Sequence, residues 1–166
     1  DYPFALRHDL IDQIKSLKKK FPDYESFKTA DITKIFHQKT LNESDIHIVN
    51  TLETSIYINK NGFEFEKIRI PSEVQFSPVY SISTYDFDND GDEDILLGGN
   101  LYDVKPEVGI YDASYGVYLE NLGNLKFKYH RGGNGFFVKG EIRDILISDK
   151  NIFVSKNNDK MEVFKF

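Results

Sequence analysis

The chain of 166 residues has no cysteine, no tryptophan, one methionine and five prolines. The missing cysteine excludes disulfides, thiolate zinc sites and a cysteine nucleophile, but does not choose between cytoplasm and envelope. No apolar run approaches the roughly 18 to 20 residues that a membrane span needs, so no membrane span is expected in this chain. The opening residues, Asp1-Tyr-Pro-Phe-Ala-Leu-Arg-His8, lack the basic start and apolar stretch of a secretory signal. Such a signal is expected to have been cleaved or to lie upstream. Excess positive charge is missing too, which disfavours free nucleic-acid binding, because phosphate contacts need clustered cations. The one basic cluster, Lys15, Lys18, Lys19 and Lys20, reads as the wet face of a helix.

Negative charge is present, and it is local. Of 27 Asp plus Glu, six lie between Asp86 and Asp94, a stretch without Lys or Arg, leaving 21 acids against 21 bases elsewhere. The formal net charge of −6 is therefore the charge of one short segment. The length fits one domain, able to bury about two thirds of its unfolded surface.

Two textures divide the chain. Leu6, Leu10, Ile14, Leu17 and Phe21 recur at spacings of four, four, three and four, the stripe of an amphipathic helix over residues 4–21 that Pro22 ends. Short helices are expected over Tyr24–Lys28 and, behind an Asp31 cap, up to Phe36; Gln38–Asp45 reads as a polar connection. Residues 1–37 thus form a short helical N-terminal segment. From Ile46 the chain is rich in Val, Ile, Tyr and Phe between Asn, Asp and Gly. Strands are expected at 46–49, 55–59, 63–68, 79–85, 94–97, 116–120, 125–129, 142–147, 151–154 and 161–166, with hairpin turns at Asn61-Gly62 and Gly123-Asn124.

The β-rich part repeats itself. Ser55-Ile-Tyr-Ile-Asn-Lys-Asn-Gly62 returns 61 residues later as Gly116-Val-Tyr-Leu-Glu-Asn-Leu-Gly123, and Ile82 and Asp86 return as Ile145 and Asp149 after 63. Beyond Asp149 the second copy is six residues shorter, so Asp94-Ile-Leu-Leu97 matches Asn151-Ile-Phe-Val154 after 57. The deleted piece is the acidic loop. A repeat of about sixty residues with four strands has the content of a propeller blade. The fold expected is mainly β: the last blades of a β-propeller with four-stranded antiparallel blades, over 46–166. It divides into a partial blade 46–70, a loop-bearing blade 75–130 and a final blade 141–166. The earlier blades of a larger propeller are expected to lie outside this chain.

The acidic stretch Asp86-Phe-Asp88-Asn-Asp90-Gly91-Asp92-Glu-Asp94 has the form D-x-D-x-D-G-x-x-D. Carboxylates at positions 1, 3 and 5 converge only if the backbone curls round a common centre, and glycine at position 6 permits the turn. The carbonyl of Asp92 is expected to point inward and Asp94 to close the shell, giving a metal site of Asp86, Asp88, Asp90, Asp92 and Asp94. Hard oxygen donors without histidine or thiol favour Ca²⁺. An EF-hand is excluded, because it needs flanking helices and a glutamate at position 12, where Leu97 stands. Acidic turns also occur without metal; four carboxylates in register with the glycine favour calcium.

With these residues in place, Ser77-Pro-Val-Tyr-Ser-Ile82, the acidic loop continued to Asn100, and Tyr118-Leu-Glu-Asn-Leu-Gly123 resemble the FG-GAP or VCBS repeat of integrin-α-type β-propellers. The nearest likeness is to propeller proteins of the bacterial envelope, in which a lysine-rich helical segment similar to Leu10–Phe36 precedes the last blades. The resemblance covers most of the chain and implies an extracytoplasmic location, calcium in some hairpin loops, and a role in adhesion, ligand binding or assembly. It departs from the pattern in lacking the literal Phe-Gly and Gly-Ala-Pro signatures, and the last repeat has no metal loop, so one calcium is expected.

Other residues carry weaker signals. His8, His37, His47 and His130 show no ligand spacing and read as surface or structural residues. Asp103, Glu107 and Asp112 with Tyr102, Tyr111 and Tyr115 form either a binding rim on the long connection 99–116 or a loop packed on its blade by the tyrosines. Arg131-Gly-Gly-Asn-Gly135 reads as a flexible interblade turn, not a phosphate loop. Two functions follow: a non-catalytic calcium-binding module for a protein or glycan ligand, docking with the remaining blades or other envelope proteins, or the propeller part of a glycan lyase or hydrolase using Asp103 or Glu107.

Overall fold

The computed structural model describes all residues from Asp1 to Phe166. They form two compact units, Asp1–Asn50 and Thr51–Phe166. No helix is long and apolar enough to cross a membrane.

The first unit is helical, but its first helix is not continuous. The expected helix over 4–21 is split into α1, Arg7–Gln13, and α2, Leu17–Lys20, by Ile14 at φ −124°, ψ 83°. The break has a packing reason. Leu17 and Phe21 join Ala30 and Ile35 in a small buried core on which Leu10, Ile14 and Phe27 also pack, and one straight helix cannot wrap so small a centre. Helices α3, Tyr24–Phe27, and α4, Ile32–Ile35, stand where expected. Asp23 caps α3 by accepting the Ser26 N–H, and Asp31 caps α4 by accepting from Thr33 and Lys34, each satisfying amides that a helix start leaves open. Two expectations fail here. Gln38–Asn42 is a short helix, α5, and not a plain connection. Residues 46–49 form no strand: Ile46, Ile48 and Val49 are exposed, and none of the sheets includes them.

The second unit is mainly β, built of three antiparallel sheets. The hairpin β1, Ile56–Asn61, and β2, Glu64–Ile68, turns through Gly62 at φ 63°. A four-stranded meander follows: β3, Val79–Tyr85; β4, Asp94–Gly99; β5, Val117–Asn121; and β6, Phe127–His130. The last sheet has three strands, β7, Ile142–Ser148, β8, Asn151–Lys156, and β9, Glu162–Lys165. In repeat register β7 and β8 take the places of β3 and β4, while β1 and β2 take those of β5 and β6.

Strand alternation explains how the sheets stack, because successive side chains leave a strand on opposite faces. Leu96 and Tyr118 point into a core shared with Ile142, Ile145, Ile152 and Val154 of the last sheet. Their neighbours Leu97, Val117 and Leu119 point the other way, into a second core with Val74 and the half-buried Ile70 and Phe127. Strands β4 and β5 are thus covered on both faces, which is why they read as apolar runs and not as alternating strands, while Ile82 of β3 stays exposed on the second face. Gly98 belongs to this stacking: a methyl group there would overlap Ile142 of β7.

A buried polar cluster ties the long connection to the seam between these two sheets. The Asn100 carboxamide accepts from the Ser77 hydroxyl at 2.7 Å and donates to the carbonyls of Ser114 at 2.7 Å and Gly140 at 2.9 Å. Glu141, also buried, accepts from the Tyr102 N–H at 2.8 Å, from Arg143 at 2.7 Å and from Asn157 at 2.9 Å. The connection 99–116 is further pinned by a bridge between Leu101 and Tyr111 and by a stack of Tyr115 on Phe137. The Tyr102 N–H and the Leu101–Tyr111 bridge hold this loop, while the Tyr111 and Tyr115 side chains stay exposed.

Candidate metal centre

The acidic residues occupy the hairpin between β3 and β4, whose register closes at the pair Tyr85–Asp94. Asn89 at φ 62° and Gly91 at φ 96° supply the left-handed backbone that curls the loop, and glycine reaches that region without steric penalty. The curl brings oxygens of Asp86, Asp88 and Asp90 within 4.8 Å of one another. Loop amides hold them in place: Asp86 accepts from Asp90 at 3.1 Å and from Gly91 at 3.0 Å, Asp88 from Asp90 at 3.1 Å, and Asp90 from Asp92 at 2.9 Å. None of these carboxylates makes an ion pair. Partial desolvation, with the charges of Asp90, Asp94 and Asp86 adding to it, raises the Asp88 carboxyl above the usual range. Desolvation and neighbouring like charges both disfavour the ionised form.

Asp94 has a different position. It is completely buried, and it accepts from the Phe87 N–H at 3.2 Å, the Tyr118 hydroxyl at 2.8 Å and the Asn121 N–H at 2.8 Å. Burial, together with this hydrogen bond, pushes the Tyr118 phenol upward. Of about four lone-pair directions on a carboxylate, three are therefore taken. Asp94 ties the loop to β5 and stands behind the trio. Asp92 is exposed, and its N–H closes onto Asp90.

Three residues of this centre were not legible in the motif. Phe87 fills a spacer position, yet its ring packs against Tyr85, Tyr118 and Phe166 at 5.2, 5.6 and 4.9 Å. It anchors the loop to the hydrophobic seam. Tyr118 and Asn121 were visible only as parts of the repeat, and the register of β4 on β5 is what places them on Asp94.

A search against family models, curated proteins and solved structures finds no match. The chemistry must be argued from the residues themselves. The trio offers hard anionic oxygens in one curl, a donor set that suits a divalent hard cation.

The remaining sequence candidates lie apart. Asp103, Glu107 and Asp112 are exposed and join no cluster of three metal-ligating groups. His8 hydrogen-bonds the Tyr24 hydroxyl at 2.8 Å, and His130 faces Glu120. Arg131 leads into a turn built on left-handed Gly132 and Asn134.

Proposed function

We propose that this chain is part of a calcium-loop β-propeller of the FG-GAP/VCBS type, serving as a non-catalytic module for ligand binding, adhesion or assembly at the bacterial envelope. The observation that carries the calcium part is the convergence of Asp86, Asp88 and Asp90 within 4.8 Å with no basic partner. In this reading Asp86, Asp88 and Asp90 supply carboxylate oxygens, the Asp92 carbonyl a fourth donor, and the free direction on Asp94 the closing contact. Bound calcium cancels the repulsion among the trio and fixes the hairpin between Tyr85 and Asp94.

Sheet stacking supports the propeller part. Successive antiparallel sheets follow in chain order, and the middle one packs face to face on the last, as neighbouring blades do. By the repeat, the last sheet is one strand short of the four in the middle sheet, and the first is two short. The envelope location and the ligand class, protein or glycan, rest on the resemblance alone.

Calorimetric titration tests the metal. The wild type is expected to bind one Ca²⁺ per chain, and Asp88→Asn or Asp90→Asn to abolish the signal. Absence of calcium uptake at millimolar concentration overturns the proposal.

A further inference from the structure

Strand β9 is the outer edge of the last sheet, and no strand lies beside it. The middle sheet shows what such an edge takes. Leu96 pairs with Tyr118, and its repeat partner Phe153 pairs with Val163, so β9 stands where β5 does, with Phe164 for Leu119, Lys165 for Glu120 and Phe166 for Asn121. Opposite those three residues of β5, strand β6 sets Tyr129, Lys128 and Phe127. Tyr129 and Phe127 pack on the core to one side, and Lys128 pairs with Glu120 at 3.3 Å on the other. The β9 edge is open to the same pairing. The Phe166 N–H turns inward to the Lys150 carbonyl at 3.1 Å, so alternation turns the main chains of Lys165 and Val163 outward. Beneath the edge lies a cavity of about 280 Å³ whose lining includes Phe87, Leu96, Tyr118, Ile152, Phe164 and Phe166. The Lys165 side chain leaves the strand on the opposite face, where it is exposed and has no ion-pair partner.

A strand that completes this edge needs an aromatic residue, an acid to meet Lys165 and a second aromatic residue, in that order. The turn and first residues of β2 read Phe63-Glu64-Phe65. All three are exposed, Glu64 has no ion-pair partner, and β2 has no strand on its outer side. No residue of the β1–β2 hairpin belongs to any of the three hydrophobic cores. We propose that β2 of a second copy of this chain pairs antiparallel with β9, placing Phe65 opposite Phe164, Glu64 opposite Lys165 and Phe63 opposite Phe166.

Main-chain hydrogen bonds along the added strand supply the attraction, and the side chains fix its register. A slip by one residue turns Phe65 away from the cavity and Glu64 away from Lys165. Side chains opposite each other on one face stand about 5 Å apart, so the Phe65 ring beside Phe164 reaches the cavity and meets its aromatic walls edge-on or offset. The contact is head to tail, β2 of one copy on β9 of the next. With so short a strand, the buried area belongs to the class of weak, transient interfaces. The pairing uses no residue of the aspartate trio and does not need the metal.

Sedimentation equilibrium of the full chain, with calcium and with chelator, tests the pairing. The mean mass is expected to rise reversibly with concentration through the high micromolar range in both buffers. Glu64→Lys or Lys165→Glu alone is expected to weaken association about fivefold, and the double reversal to restore it. Phe65→Ser is expected to weaken it about tenfold or more. Circular dichroism checks that each variant keeps its β content. A chain that stays monomeric to millimolar concentration, a single variant that associates like the wild type, or a double reversal that restores nothing overturns the inference. Calcium uptake by a monomeric chain overturns it and leaves the calcium reading standing; self-association without calcium uptake does the reverse.

Discussion

The five aspartates of the loop look equivalent in sequence, and burial separates them into two kinds. Asp88 and Asp90 are exposed and crowded by like charge, whereas Asp94 is completely buried and accepts three hydrogen bonds, two of them from β5. Neutralising them has opposite consequences in calcium-free protein. Asp94→Asn turns one acceptor oxygen into an amide donor that must face either the Asn121 N–H or the Phe87 N–H and Tyr118 hydroxyl, and is expected to destabilise by about 2 kcal/mol or more. Asp88→Asn relieves repulsion and is expected to leave stability unchanged or slightly higher, while removing calcium binding. Urea unfolding of both variants in chelator measures the difference; equal losses would contradict the division of roles. Glu141 gives a pH prediction at the same scale. The Tyr102 N–H, then Asn157 and Arg143, hold its carboxyl below the ordinary value of 4.5. Its folded pKa is depressed, so its contribution is complete above the ordinary glutamate range and is lost as pH falls through the lowered value. Stability measured across that acid window is expected to fall in wild type and to change less in Glu141→Gln, which already lacks the charge.

Among the elements, β-strands were easier to read than helices, for a physical reason. Strands β1 to β9 lie within two residues of their sequence expectation because turn residues such as Asn61-Gly62 and Gly123-Asn124 mark their ends. The helical stretch misled because the spacing of Leu10, Ile14, Leu17 and Phe21 is the same for a straight helix and for one broken at Ile14. Only the small core they surround decides between the two. Residues 46–49 misled in another way: β-branched composition favours a strand only where a neighbouring strand and a packed face are available, and 46–49 join none of the sheets. Within the acidic loop the trio was legible from alternation and the glycine, but the anchoring of Phe87 and Asp94 depends on contacts with β5 and Phe166 that spacing does not encode. Close approach of β4 to β7 yields a prediction for the element. Gly98→Ala drives a methyl into Ile142 and is expected to cost about 1–3 kcal/mol by overpacking, readable as a lower midpoint in thermal unfolding. An unchanged midpoint would show that the seam is looser than described.

The whole molecule carries its excess charge in a single loop, and the net of −6 becomes −4 when one Ca²⁺ binds. Every residue of the proposed centre, and every partner that holds it, lies within Thr51–Phe166. That segment alone is therefore expected to keep its β-type circular dichroism and to bind calcium with unchanged affinity; loss of both would show that the helical unit is needed for the fold. Calcium is expected to raise the thermal midpoint of the full chain by mass action once it exceeds its dissociation constant. The central claim, that Asp86, Asp88 and Asp90 hold calcium, is tested most directly by a crystal structure grown with calcium and examined for anomalous scattering. The account predicts one peak, about 2.3–2.6 Å from oxygens of Asp86, Asp88 and Asp90. No peak in that loop, or calcium bound only elsewhere, would contradict it.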